Sequence, residues 1–79
     1  MEVVVYTGPD EQSRKIKELL GDLGVDFQEH VCADGKVDGR DLRPLNLQVA
    51  QVPLTVIDGV AIAGMNRAQI EQAIGWIGF

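Results

Sequence analysis

Val3, Val4 and Val5 run into Tyr6 without a polar interruption. A β-branched run that is apolar on both faces predicts a strand inside a sheet, covered on both sides. Thr7-Gly8-Pro9-Asp10 is a set of turn formers. Beyond it Ile16, Leu19, Leu20 and Leu23 recur at i, i+3, i+4 and i+7. That spacing is the apolar stripe of a helix, with Arg14, Lys15, Lys17, Glu18 and Asp22 off the stripe. Pro9, Asp10 and Glu11 suit its start, supplying a fixed φ, a capping oxygen and negative charge at the positive dipole end. Gly24 suits its end. Val25, Phe27 and Val31 then alternate with Asp26, Gln28 and His30, which predicts a strand with one wet face at or near a sheet edge.

Cys32 to Lys36 reads as a turn. Asp38 to Asn46 reads as a short helix capped by Asp38 and limited by Pro44. Leu54–Ile57 and Val60–Ala63 flank Asp58-Gly59, the pattern of a tight hairpin. Asn66 and Gln69 form a capping box for a last helix whose stripe is Ile70, Ala73, Ile74 and Ile77. Gly75 within that stripe weakens it by about 1 kcal/mol relative to alanine. The order is β-α-β-α-β-β-α. A right-handed crossover makes the first two strands parallel, and the hairpin adds an antiparallel pair. The expectation is an α/β fold in one domain, Met1 to Phe79: a four-stranded mixed sheet with helices on both faces.

Composition narrows the function classes. Twelve acids against seven bases give a net charge of −5, with no basic stripe, so nucleic acid is not an expected partner. One cysteine makes neither an internal disulfide nor a cysteine zinc cluster. With 46% apolar residues the chain is too apolar to be disordered. It shows no run long enough to span a membrane and no charged leader followed by an apolar block. A small cytoplasmic domain without a membrane partner is expected.

Several fragments carry a family resemblance. Val3-Val4-Val5-Tyr6-Thr7-Gly8-Pro9 is similar to a first strand followed by Tyr-Thr-x-Pro. Lys17-Glu18-Leu19-Leu20 and Gly24-Val25-Asp26-Phe27-Gln28-Glu29 are similar to Lys-x-Leu-Leu and Gly-Val-x-Phe-x-Glu. Gln51-Val52-Pro53 leading to Ile57-Asp58-Gly59 is similar to Thr-Val-Pro, a strand and Ile-Asp-Gly. In this order, over nearly the whole chain, they resemble the glutaredoxin branch of the thioredoxin fold. Two residues after the proline that family has Cys-x-x-Cys. Here the window is Glu11-Gln12-Ser13-Arg14, with Glu11 and Arg14 at the two cysteine positions. The dithiol mechanism needs a low-pKa thiolate at a helix N-terminus, and neither Glu11 nor an unassisted Ser13 supplies one.

The resemblance implies a cis Pro53, with Val52 offering its backbone to an extended ligand. It implies a groove formed by Tyr6, Pro9, Val52, Pro53, Gly64 and Asn66. Glutathione is the ligand it implies, with Gly64 and Asn66 at the γ-glutamyl site. Two polar anchors of that site are absent: Ala63 replaces the first of two glycines, and Gly8 stands where a Lys or Arg is common. Asn66 also reads as a plain N-cap. Cys32 falls at the same end of the sheet as Glu11, where open α/β sheets bind ligands. It reads as a displaced redox thiol or as a small apolar filler, and Asp34 beside it raises its pKa. His30, Cys32 and Asp34 fall short of a closed zinc shell, so no metal is expected. Trp76 and Phe79 read as core closure or as an apolar patch; Ile57, Val60 and Ile62 share that double reading at the edge.

Three functions follow. The first is a redox-inactive binding or structural module that keeps the groove beside Pro53 for a protein, a small thiol or a peptide. The second is a glutathione-linked thiol–disulfide oxidoreductase acting through Cys32. The third is a self-association module.

Overall fold

A computed structural model describes residues 2–48 and 50–75. The chain runs β1 (Val3–Thr7), α1 (Glu11–Asp22), β2 (Gln28–Val31), α2 (Gly39–Leu42), a 3-10 turn (Arg43–Leu45), β3 (Leu54–Ile57), β4 (Val60–Ala63) and α3 (Arg67–Ala73). The sheet order is β2-β1-β3-β4. β1 is parallel to β2 and antiparallel to β3, and β4 returns antiparallel on β3. This is the expected mixed sheet.

The valine run sorts its residues by alternation. Val3 and Val5 join Ile57 and Ile62 under α1 and α3, against Ile16, Leu19, Leu20 and Ile70. Tyr6 and Leu54 face the other way, against Val37 and Leu42, with Val4, Val56 and Ala61 beside them. β1 is therefore covered on both sides. Each fully buried Leu or Ile in these two layers contributes about 1.5–3 kcal/mol. Both turn residues of the β3–β4 hairpin take left-handed backbone, Asp58 at φ 50° and Gly59 at φ 84°, as a primed two-residue turn requires. Asp58 also receives the Glu2 amide on Oδ1 at 2.8 Å, tying the hairpin to the start of β1.

Two expectations are corrected. The second strand begins at Gln28, not Val25, and Val31 is 73% exposed. The Val25 amide donates to Leu20 O at 3.0 Å, so this residue still belongs to the helix exit. Val25 and Phe27 cover the rim of the α1 core before the strand starts. The last helix stops at Ala73, with Gly75 beyond it at φ 73°. Gly75 therefore terminates the helix rather than weakening its middle. Ile77, Trp76 and Phe79 lie outside the described residues. Among the described residues, no helix is long and apolar enough to cross a membrane.

Candidate functional site

The N-terminus of α1 is held by a closed hydrogen-bond network. Asp10 caps the helix, accepting the Ser13 amide on Oδ2 at 3.0 Å. The Ser13 hydroxyl donates to Asp10 Oδ1 at 2.6 Å and accepts the Gly8 amide at 3.0 Å. Ser13 is fully buried. Its hydroxyl is a structural tie between the turn and the helix, a role the sequence pattern did not reveal. The Ser13 hydroxyl is also the chief cause holding the Asp10 carboxyl below the usual range. Glu11 pairs with Arg14, which also binds Glu18 at 2.6 Å. The hydrogen bond from Arg14 is the main reason the Glu11 carboxyl titrates low. Glu11 and Arg14 side chains are 61% and 57% exposed, so this position carries a solvated, ionised carboxylate.

Beside it lies a groove of about 490 Å³. Val52, Pro53 and Gly64 line it, and the Val52–Pro53 bond is cis. Gln12 and Gln51 supply its amides, and Leu47, Ala50, Leu54, Ala61 and Ala63 its aliphatic walls. No charged residue is among them. The other expected groove residues are elsewhere. Tyr6 lines a second cleft, Pro9 a shallower one, and Asn66 caps α3. The Asn66 side chain accepts the Gln69 amide at 3.1 Å and donates to the Gln69 side chain at 3.1 Å. The reciprocal half of the expected capping box thus runs between side chains.

The two backbone donors expected to face a ligand are already engaged. The Val52 amide donates to Gly35 O at 3.1 Å, and the Gly64 amide to Pro53 O at 2.9 Å. The first bond belongs to a short antiparallel bridge, Lys36 opposite Gln51, in which the Val37 amide also donates to Ala50 O at 3.0 Å. The chain's own Gly35–Val37 segment thus lies along the edge that Val52 was expected to offer. Gly8 lies outside the groove but packs closely against Val52. A Cβ there would stand 2.7 Å from Val52 Cγ2, so a longer residue at position 8 collides with the groove wall.

The second cleft, of about 500 Å³, holds Cys32. Asp34, Lys36, Asp38 and Asp41 line it together with Tyr6 and His30. Tyr6 and His30, opposite each other across β1 and β2, stack with ring centroids 5.2 Å apart. Cys32 is half-buried, and its amide donates to Thr7 O at 2.7 Å. Burial pushes its thiol pKa up, and the Asp34, Asp41 and Asp38 carboxylates push it further. The sequence pointed to Cys32, His30 and Asp34. It did not point to Asp38 and Asp41, which a short helix brings round to face them.

The architecture is that of a thioredoxin-like fold. The thioredoxin-like protein BC3987 superposes with a TM-score of 0.72 at 26% identity, over 91% of this chain and 99% of that one. The glutaredoxin from Methanosarcina mazei Go1 superposes at 0.68 and 28% identity, over 95% of this chain and 79% of that one. No family model matches the sequence. It is 36% identical over 61 residues to an uncharacterized glutaredoxin-like 8.6 kDa protein in the rubredoxin operon of Clostridium pasteurianum, covering 77% of this chain and 80% of the relative. This chain belongs to the glutaredoxin-like family.

Proposed function

We propose that this glutaredoxin-like chain is a binding module without dithiol turnover, holding an extended peptide or small thiol ligand in the uncharged groove beside Pro53. The N-terminus of α1 carries the reading: the family's reactive position holds the ionised Glu11 carboxylate, paired with Arg14. Thiol–disulfide exchange proceeds by thiolate attack on a disulfide sulfur, and a carboxylate forms no mixed disulfide. The upward shift of the Cys32 thiol disfavours transfer of the chemistry to that residue. Aliphatic walls with two amides suit a ligand held by apolar contact and a few neutral hydrogen bonds. The names of the relatives make disulfide reduction the competing outcome.

A glutathione-coupled reduction assay on a small disulfide decides between them. The wild-type protein should turn over no faster than Cys32→Ser, and Cys32 should alkylate more slowly than free cysteine at neutral pH. Turnover that Cys32→Ser abolishes would make the chain a single-thiol oxidoreductase. Amide NMR titration with reduced glutathione, and with the capped peptide acetyl-Ala-Val-Ala-amide, tests the groove. At least one should shift Gln12, Val52 and Gly64 saturably; silence from both removes the groove reading.

A further inference from the structure

β2 and β4 are the outer strands of the sheet, and their free edges are unlike. Natural sheets guard such edges with charge, proline or a covering segment. β2 reads Gln28-Glu29-His30-Val31 and holds its guard, Glu29, in a network with Thr7 and Lys17. β4 reads Val60-Ala61-Ile62-Ala63, without a charge or a proline. Three large apolar side chains are exposed among the described residues: Val31, Val60 and Met65. Two of the three flank the β4 edge, one at each end.

Pairing with β3 fixes the direction of the free backbone groups. The Gly64 amide donates to Pro53 O at 2.9 Å, toward β3. Bonded and open pairs alternate along an antiparallel ladder. Thr55–Ile62 and Ile57–Val60 are therefore bonded pairs, and Leu54–Ala63 and Val56–Ala61 are open ones. The N–H and C=O of Ala61 and of Ala63 thus point away from the sheet, where no strand pairs among the described residues. These four groups are self-complementary. In an antiparallel copy turned about Ile62, Ala61 of each chain meets Ala63 of the other, and all four groups of each copy find a partner.

We propose that β4 pairs antiparallel with β4 of a second copy of this chain, about a two-fold axis at Ile62, joining the two sheets into one. The flanks match this occupant. The same register sets Val60 of each copy beside Gly64 and Met65 of the other, so the exposed apolar side chains at the two ends cover each other. It also sets the exposed Asp58 turn of each copy against the Arg67 end of the other's α3. Asp58 takes the Glu2 amide on Oδ1 and keeps Oδ2 open; Arg67 gives Nε to Glu71 and keeps its Nη groups open. Opposite charges therefore meet twice, on a chain whose net charge of −5 opposes association elsewhere. Ala61 and Ala63 also line the Pro53 groove, so pairing continues that wall onto the second copy. The pairing does not depend on what the groove binds.

Sedimentation equilibrium and amide NMR on the full chain, over a range of protein concentrations, test it. The mass should rise with concentration from 8.6 kDa toward twice that value and stop there. Amide shifts should move with concentration at Ala61, Ile62 and Ala63 and stay still on β2. Ala61→Pro removes an outward N–H, a change that an edge strand tolerates. It should weaken the dimer about tenfold, because the two-fold axis counts the lost hydrogen bond twice. Val60→Lys, at an exposed position, should weaken it by a similar factor, while Val31→Lys on β2 leaves it unchanged. A single 8.6 kDa species up to about 1 mM overturns the proposal. So does a mass that grows past the dimer, or undiminished association in a folded Val60→Lys variant.

Discussion

Two clefts of nearly equal size open on the α2 side of the sheet, and they are chemical opposites. The one beside Pro53 has no charged lining residue; the one around Cys32 has three carboxylates and a lysine. The bridge between Gly35–Val37 and Ala50–Val52 gives residues to both. Their origins differ too. The acidic cleft is built almost wholly from one stretch, His30 to Asp41, with Tyr6 beneath. The uncharged groove gathers Gln12, the segment before β3, and the ends of β3 and β4. The groove reaches α1 through Gln12 and lies beside the cis Val52–Pro53 bond. The acidic cleft contains the thiol, whose pKa is raised first by burial and then by the Asp34, Asp41 and Asp38 carboxylates.

The largest test of this division is Leu54→Ala. Leu54 is 1% exposed, lines the groove and packs in the same cluster as Tyr6 and Val37 of the acidic cleft. Truncation should destabilise the protein by about 2–5 kcal/mol in denaturant unfolding. If the clefts share one floor, amide shifts should spread to Tyr6 and His30; shifts confined to the groove would make the two independent. Gly8→Lys sharpens the contrast at a smaller cost. It adds a cation beside the groove, but its Cβ meets Val52 Cγ2. The expected result is a loss of about 1–3 kcal/mol from overpacking, with no gain in glutathione affinity by calorimetry.

The smallest effect is expected at the edge strand that carries His30. Glu29 accepts the buried Thr7 hydroxyl at 2.6 Å and pairs with Lys17 at 3.0 Å, and the Thr7 bond is the main cause of its lowered pKa. A carboxylate whose folded pKa is depressed adds stability above its unfolded pKa, near 4.5 here, and loses it as pH falls through the lower folded value. Glu29→Gln should cost under about 1 kcal/mol at neutral pH. It should also flatten the acid limb of stability measured against pH, with shifts on β2 and none in the uncharged groove.

The sequence made some elements plain and left others invisible. The valine run, the Ile16–Leu20 stripe, the Asp58-Gly59 turn and the Asn66 cap each depend on residues a few positions apart. Local sterics and periodicity therefore gave them away. β2 misled because Val25 and Phe27 keep a strand's alternation while packing on the core from a helix exit, and Val31 completes the pattern facing water. The bridge left no trace, since each side is too short to show a period. It is also what changed the site. Val52, Pro53 and Gly64 line one groove. But the partners of the Val52 and Gly64 amides lie outside any short motif. Gln12 was counted only as a member of an emptied active-site window, so its place on the groove wall went unseen.

The bridge also bears on how chain length can vary in this family. It clamps the two ends of the stretch from Val37 to Ala50, which includes α2 with its buried Leu42 and the 3-10 turn ended by Asn46 at φ 59°. For a flexible loop whose ends are already fixed, doubling the length costs only about 0.6 kcal/mol. Exposed positions such as Asn46 and Gln48 can therefore accept added or deleted residues with little effect on the sheet. The two-residue hairpin at Asp58-Gly59 has no such slack, because its register follows from its turn. Insertions and deletions among relatives should accumulate after α2 and spare the hairpin.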